Sequence, residues 1–241
     1  MDVRRPRGCL VIVAALAVLL AATVQASGPT RLYVPLVTRE DAVTPVSPDG
    51  QPSWGAPIAV SPLDGSVWVV NPDAGSVTMI DAERLEKRAE IPAGREPQSL
   101  AIAPDGRSVY VVDRAEGALV VVDASSHQVR AAVPVGPEPA AVALSPAGST
   151  AYVTVSSAGE VVVIDINQLT VVKHVPVAPH PYAIAVTDDG DANEEDERVY
   201  VTHLLALPRP GGIPGTDDGQ AGRVTVLNAG EMTVRAEISL A

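Results

Sequence analysis

Phenylalanine is absent from the 241 residues, tryptophan occurs twice, tyrosine five times and cysteine once. So few flat rings leave no stacking platform for nucleic-acid bases. The lone Cys9 cannot close an internal disulfide. Basic residues are scarce too: 17 Lys and Arg stand against 29 Asp and Glu, a formal net charge of −12. Neutralising phosphates needs clustered cations, so nucleic acid is not an expected partner. The same charge gives little attraction to anionic lipid. The common catalytic and cofactor signatures are missing as well. There is no GxSxG, P-loop, HExxH, paired CxxC or heme-attaching CxxCH, and no GxGxxG after a strand.

What is present begins with an address. Arg4, Arg5 and Arg7 precede an apolar run from Leu10 to Val24, and Val24-Gln25-Ala26 places small residues at −3 and −1. Residues 1–26 therefore read as a secretory signal cleaved before Ser27. The run is shorter than the ~20 residues that span a bilayer, so no stable membrane span is expected after cleavage. Cys9 leaves with the signal, and the exported chain must be stabilised without disulfides. Residues 27–56, with Pro29, Pro35, Pro45, Pro48 and Pro52, read as a Pro-rich linker or edge segment. Within it only Leu32 to Val37 has strand character, confined to an edge by Pro35.

From residue 57 the chain repeats. Ala59, Ala101, Ala143 and Ala185 are each 42 residues apart. Trp68, Tyr110 and Tyr152 keep that step, as do Gly75, Gly117 and Gly159, Asp81, Asp123 and Asp165, and Pro97, Pro139 and Pro181. A period of ~40–45 residues with four strands per unit marks a β-propeller. The fold expected is all-β, with four-stranded antiparallel blades at 57–98, 99–140, 141–182 and 183–241. Valine-rich segments supply the strands. Asp105-Gly106 and Glu116-Gly117 supply hairpin turns, and the Asp81/Asp123/Asp165 column is expected to cap turns by accepting backbone N–H groups.

Val109-Tyr110-Val111-Val112-Asp113, Ala151-Tyr152-Val153-Thr154-Val155 and Val199-Tyr200-Val201-Thr202-His203 resemble the tyrosine–valine–threonine–asparagine (YVTN) propeller repeat. Ser145-Pro146-Ala147-Gly148, Val163-Ile164-Asp165 and Pro134-Val135-Gly136 agree with it, over residues 57–241. The family asparagine survives only at Asn71 and becomes Asp113, Val155 and His203. The resemblance implies exported, surface-layer-like proteins, or propellers joined to redox or peroxidase modules. It also implies a larger, seven-bladed ring. Four blades do not fill one, so the expectation is a partial ring or a chain that needs a partner, with a closed four-bladed ring as the rival. Fold alone licenses no activity.

The fourth unit departs from the others through two insertions, one in the acidic run 188–197 and one at 204–222. Long loops on a rigid scaffold are where function concentrates. Propeller geometry puts the second insertion on the face of the blade-to-blade connections. That face is expected to carry Glu96, Glu138 and His180 in one column and Asn71, Asp113, Val155 and His203 in another. Asp217 and Asp218 would lie near His180 and His203. These form the candidate binding face. Asp188, Asp189 and Asp191 are a candidate Ca²⁺ site by ligand chemistry, without EF-hand spacing. A solvated acidic hairpin is the plainer reading. His127 and His174 are expected at the surface. No catalytic residue and no cofactor other than Ca²⁺ is expected.

The leading expectation is an exported, non-catalytic scaffold, periplasmic, at the cell surface or outside the cell, binding a protein or envelope component. The alternative is an enzyme or redox-associated propeller: a metal-dependent, lactonase-like enzyme, or the partner of a peroxidase or dehydrogenase module.

Overall fold

The computed structural model describes residues 53–240, apart from 192, 210 and 214–218. The expected signal, Leu32–Val37, Asp217 and Asp218 lie outside the described residues. The described chain is strand and turn, with a single short 3-10 turn at Pro72–Ala74. No helix in it is long and apolar enough to cross a membrane.

A short first strand, β1 (Ser53–Trp54), precedes four antiparallel sheets. Blade 1 is β2 (Ile58–Val60), β3 (Val67–Asn71), β4 (Ser76–Asp81) and β5 (Glu86–Pro92). Blade 2 is β6 (Pro97–Ile102), β7 (Ser108–Asp113), β8 (Ala118–Asp123) and β9 (Gln128–Pro134). Blade 3 is β10 (Pro139–Leu144), β11 (Thr150–Val155), β12 (Glu160–Asp165) and β13 (Thr170–Pro176). Blade 4 is β14 (Pro181–Val186), β15 (Arg198–His203), β17 (Gln220–Asn228) and β18 (Thr233–Leu240), with β16 (Leu207–Pro208) added on β17.

The sheets start two residues earlier than the sequence columns suggest. Pro97, Pro139 and Pro181 open the first strand of a blade, a position where proline's missing N–H is tolerated. Between third and fourth strands each blade carries the same register shift, at Met79/Ile80, Val121/Val122, Val163/Ile164 and Val226/Leu227. A bulge there sharpens the twist of the outer edge.

The turns form as the aspartates predict. Asp81 Oδ1 accepts from Glu83 N and Arg84 N, both at 3.0 Å. Asp123 Oδ1 accepts from Ser125 N at 3.0 Å and Ser126 N at 2.8 Å. Asp165 Oδ1 accepts from Asn167 N at 2.8 Å and Gln168 N at 3.0 Å. Each turn, with Asn228 in the fourth blade, ends on a residue of positive φ: Leu85, His127, Leu169 and Met232. His127 is thus a half-buried turn residue.

Burial explains the valines. Inner blades are covered on both faces, so their strands read as nearly continuous β-branched runs; all six residues of β7 are buried. Three hydrophobic clusters join blade 1 to 2, blade 2 to 3 and blade 3 to 4. Among the described residues no such cluster joins blade 4 to blade 1.

Residues 53–57 run along the converging first strands. β1 pairs with β14, Ser53 Oγ accepts from Leu144 N at 2.9 Å, and Gly55 N donates to Ile184 O at 3.0 Å. Leu100 N then donates to Ala56 O at 2.8 Å and Val70 N to Pro57 O at 2.9 Å. This short strap touches all four blades.

Candidate functional site

Each connection from one blade to the next passes the turn between second and third strands, so both lie at one end of the arc. Arg114, just after β7, sits between two of the predicted residues. Its Nη1 is 3.4 Å from Glu96 Oε1 and its Nη2 is 3.0 Å from Glu138 Oε1. Arg95 Nε lies 3.7 Å from Glu116 Oε1 beside them. Glu96, Arg114, Glu116 and Glu138, with Gly117, Pro134, Gly136 and Pro137, line an open cleft of about 670 Å³. Its walls are mixed, with three carboxylates and one guanidinium set among alanine, glycine and proline. The pairs are exposed, so water and a charged guest compete with them at little cost.

The second predicted column does not face that cleft as a ligand set. Each member is held by its own blade or by the segment that enters it. Asn71 Nδ2 donates to Thr78 Oγ1 at 2.8 Å and Ser76 Oγ at 3.2 Å. Asp113 is fully buried, and its carboxylate accepts from the backbone N–H of Arg95, Glu96 and Ala115. Val155 is fully buried. His203 is half-buried, with Nδ1 3.0 Å from Pro179 O and Nε2 2.8 Å from Thr225 Oγ1. Since the carbonyl only accepts, Nδ1 carries a proton.

His180 is exposed at φ 54°, on the strand end that pairs with the end of β15. Its carbonyl accepts from Leu204 N at 2.9 Å. His180 lies just before the sheet, next to the Pro181–His203 pair, and the two rings share no hydrogen bond. Within the 204–222 insertion β16 pairs with Gln220 and Ala221, and Arg209 N donates to Gly219 O at 3.0 Å.

The acidic insertion lies at the opposite end. There Asp188, Asp189 and Asp191 do not converge as a trio. Asp189, Asp191 and Asp196 are the acids that approach one another, and all three are exposed. Asp188 Oδ1 instead accepts from Gly190 N at 2.9 Å. Nor is the hairpin merely solvated. Glu194 accepts from Ala147 N at 2.5 Å and Ser149 Oγ at 2.8 Å, fastening it to blade 3. Glu197 is buried, accepting from Asp189 N at 2.9 Å and from the Thr187 hydroxyl. His174 is exposed beside Glu160, Nδ1 to Oε1 2.9 Å.

Arg114 escaped the sequence reading because its column holds Pro72, Arg114, Ser156 and Leu204, with no shared chemistry. The only signal was its place directly after the column residue Asp113.

An arc of four-stranded blades with a polar connection face defines a β-propeller. Residues 63–199, more than half of the chain, match the Cytochrome D1 heme domain, and the chain belongs to that family. No curated protein matches it. Hydrazine synthase of Kuenenia stuttgartiensis is similar in structure, with a TM-score of 0.63 and 22% identity over 76% of this chain and 48% of that one. A functionally unknown protein from Desulfotomaculum acetoxidans gives a TM-score of 0.53 and 20% identity, over 76% and 57% of the two chains. The dihydro-heme d1 dehydrogenase NirN, solved with DHE, gives 0.46 and 15%, over 78% and 47%. The chain thus spans about half the length of these structures. At these identities the first two show the fold alone.

Family membership overturns the expectation that no cofactor other than Ca²⁺ is involved, because the family is defined by a heme domain. The 670 Å³ cleft does not by itself fit a heme, which needs apolar walls and an axial His, Met, Cys or Tyr. No such side chain lines the 670 Å³ cleft, and three carboxylates do. Both ring nitrogens of His203 are already hydrogen-bonded, one of them to a buried hydroxyl.

Proposed function

We propose that this chain is the scaffold portion of an exported, heme-associated redox propeller. The observation that carries the reading is the family match across residues 63–199, which spans blades 1 to 3 and enters blade 4. Its YVTN-like columns keep the blades regular, and the connection face with Glu96, Arg114 and Glu138 is where a partner or group would rest. Iron ligation is assigned away from His203, whose ring nitrogens are committed to Pro179 and Thr225. The family match favours the redox-associated alternative over a non-catalytic scaffold. Export rests on the basic and apolar pattern of residues 1–26.

The test is an absorption spectrum and pyridine hemochrome assay of the full chain, exported in a host that makes heme and d-type heme. Tetrapyrrole bands that co-purify with the protein, at unchanged position in His203→Ala, are expected. Protein free of any tetrapyrrole after loading with either heme overturns the proposal. A band that moves in His203→Ala overturns the assignment of ligation elsewhere.

A further inference from the structure

We infer that the cleft on the connection face of blade 2 holds an arginine or lysine side chain presented by a basic segment of a partner protein. The inference takes from the proposed function only that a partner rests on this face, and nothing from heme.

The chain itself shows what these carboxylates hold. The Arg114 guanidinium is seated between Glu96, at the entry to blade 2, and Glu138, at the entry to blade 3. Arg114 N donates to Glu96 O at 3.0 Å, so the backbone fixes the cation beside the first acid. Ser156 N makes the same bond to Glu138 O, also at 3.0 Å. The second acid thus has a serine where the first has an arginine, and it must share Arg114 across the blade junction. One guanidinium is divided between two carboxylates, and neither is saturated.

The charge balance decides the sign of the guest. Glu96, Glu116 and Glu138 line the cleft with a single guanidinium. Arg95 stands outside the lining, and its Nε is 3.7 Å from Glu116 Oε1, too long for a hydrogen bond. Even with Arg95 counted, carboxylates are in excess. The chain as a whole carries a net charge of −12. An anion would have to reach Arg114 past three acids, whereas a cationic segment is steered toward them. The Arg114, Glu116 and Glu138 side chains are about half exposed, so an incoming cation competes with Arg114 without stripping a buried charge. Pro134, Gly136 and Pro137 give the cleft a wall along which the methylene stem of a lysine or arginine lies while its head meets the acids. The opening is wide enough for a side chain projecting from another protein's surface, at about 670 Å³.

Fluorescence anisotropy of a labelled hexa-arginine peptide, titrated with the full chain at low ionic strength, tests this. Wild type is expected to bind it, and to ignore a labelled hexaglutamate peptide. Glu96→Gln/Glu138→Gln should weaken binding roughly tenfold, the loss of two exposed charge contacts. Arg114→Ala should tighten binding about threefold, because it removes the cation already seated between the acids. The acidic hairpin at the opposite end is the control for general attraction. Asp189→Asn/Asp191→Asn/Asp196→Asn removes the same kind of charge there and should bind within about twofold of wild type. No binding of hexa-arginine overturns the proposal. So does binding that Arg114→Ala leaves unchanged or weakens, or a loss in the hairpin variant equal to that in the cleft variant. The readout uses no tetrapyrrole, so failure of the heme reading and failure of this one are seen separately.

Discussion

The Asp113 carboxylate accepts a hydrogen bond from the Glu96 backbone N–H at 2.9 Å, and so ties the second strand of blade 2 to the segment that enters it. Its other oxygen holds Arg95 N, also at 2.9 Å, and Ala115 N is 3.2 Å from the first. The acid is fully buried with no cation among these contacts, so backbone amides alone solvate it. Gly94 makes room for it: a Cβ there would stand 2.1 Å from Asp113 Oδ2. Asp113→Ala strands three amides and should destabilise the protein by about 2–4 kcal/mol, roughly a kilocalorie for each lost partner. Urea unfolding measures this, and a loss under about 0.5 kcal/mol would reject the latch.

Arg114, one residue on, is the contrast. It pairs with Glu96 and Glu138 in the open, and exposed pairs are worth about 0–1 kcal/mol. Arg114→Ala should therefore leave stability within about 1 kcal/mol of wild type, with any difference shrinking as salt is raised. A loss comparable with that of Asp113→Ala would mean the pair is desolvated in solution.

These neighbours also mark what a sequence can and cannot say. The repeat was legible because Ala59, Trp68, Gly75 and Asp81 each impose a local demand that recurs at one step. Such demands are a small side chain, a large core ring, a left-handed turn and a turn acceptor. The capping aspartates were legible for the same reason, since their partners lie two or three residues away. Partnerships across long stretches of chain were not. Ser53 meets Leu144, Glu194 meets Ser149, and Asp113 meets Arg95, and no local pattern announces any of the three. The Asn71/Asp113/Val155/His203 column looked like a binding set because side-chain direction is invisible in sequence. The link to a heme-domain family was legible only as the redox-associated alternative, because the repeat specifies blades and not what they surround.

Gly55 tests the strap. A Cβ there would lie 2.7 Å from Val142 O and 2.9 Å from the Ala141 Cβ, and the first of these is backbone that cannot swing away. Gly55→Ala should push the strap off the inner strands and cost about 1–3 kcal/mol, the usual range for overpacking. Hydrogen exchange locates the damage. Amides of Gly55 and Leu100 should exchange faster, while those of the outer strand β9, which the strap does not touch, stay near wild type. Equal acceleration throughout would show global destabilisation and remove the strap as a separate element.

The turn aspartates set the acid limit. Two turn amides and the Arg88 guanidinium, 2.7 Å away, hold Asp81 at about 2, below its ordinary 3.8. Asp123 is lowered further, by the Ser125 hydroxyl first and the Ser126 amide next. A carboxyl whose folded value is depressed binds protons more readily in the unfolded chain. Its stabilisation is complete above the unfolded value and is lost as pH falls through the folded one. Thermal midpoints should therefore be flat near neutrality, begin to fall near pH 4 and keep falling to about pH 2. Asp81→Asn/Asp123→Asn should start lower at neutral pH and lose less on acidification, because the amides no longer titrate. If wild type and the double variant fall in parallel between pH 4 and pH 2, these two turns do not set the acid limit.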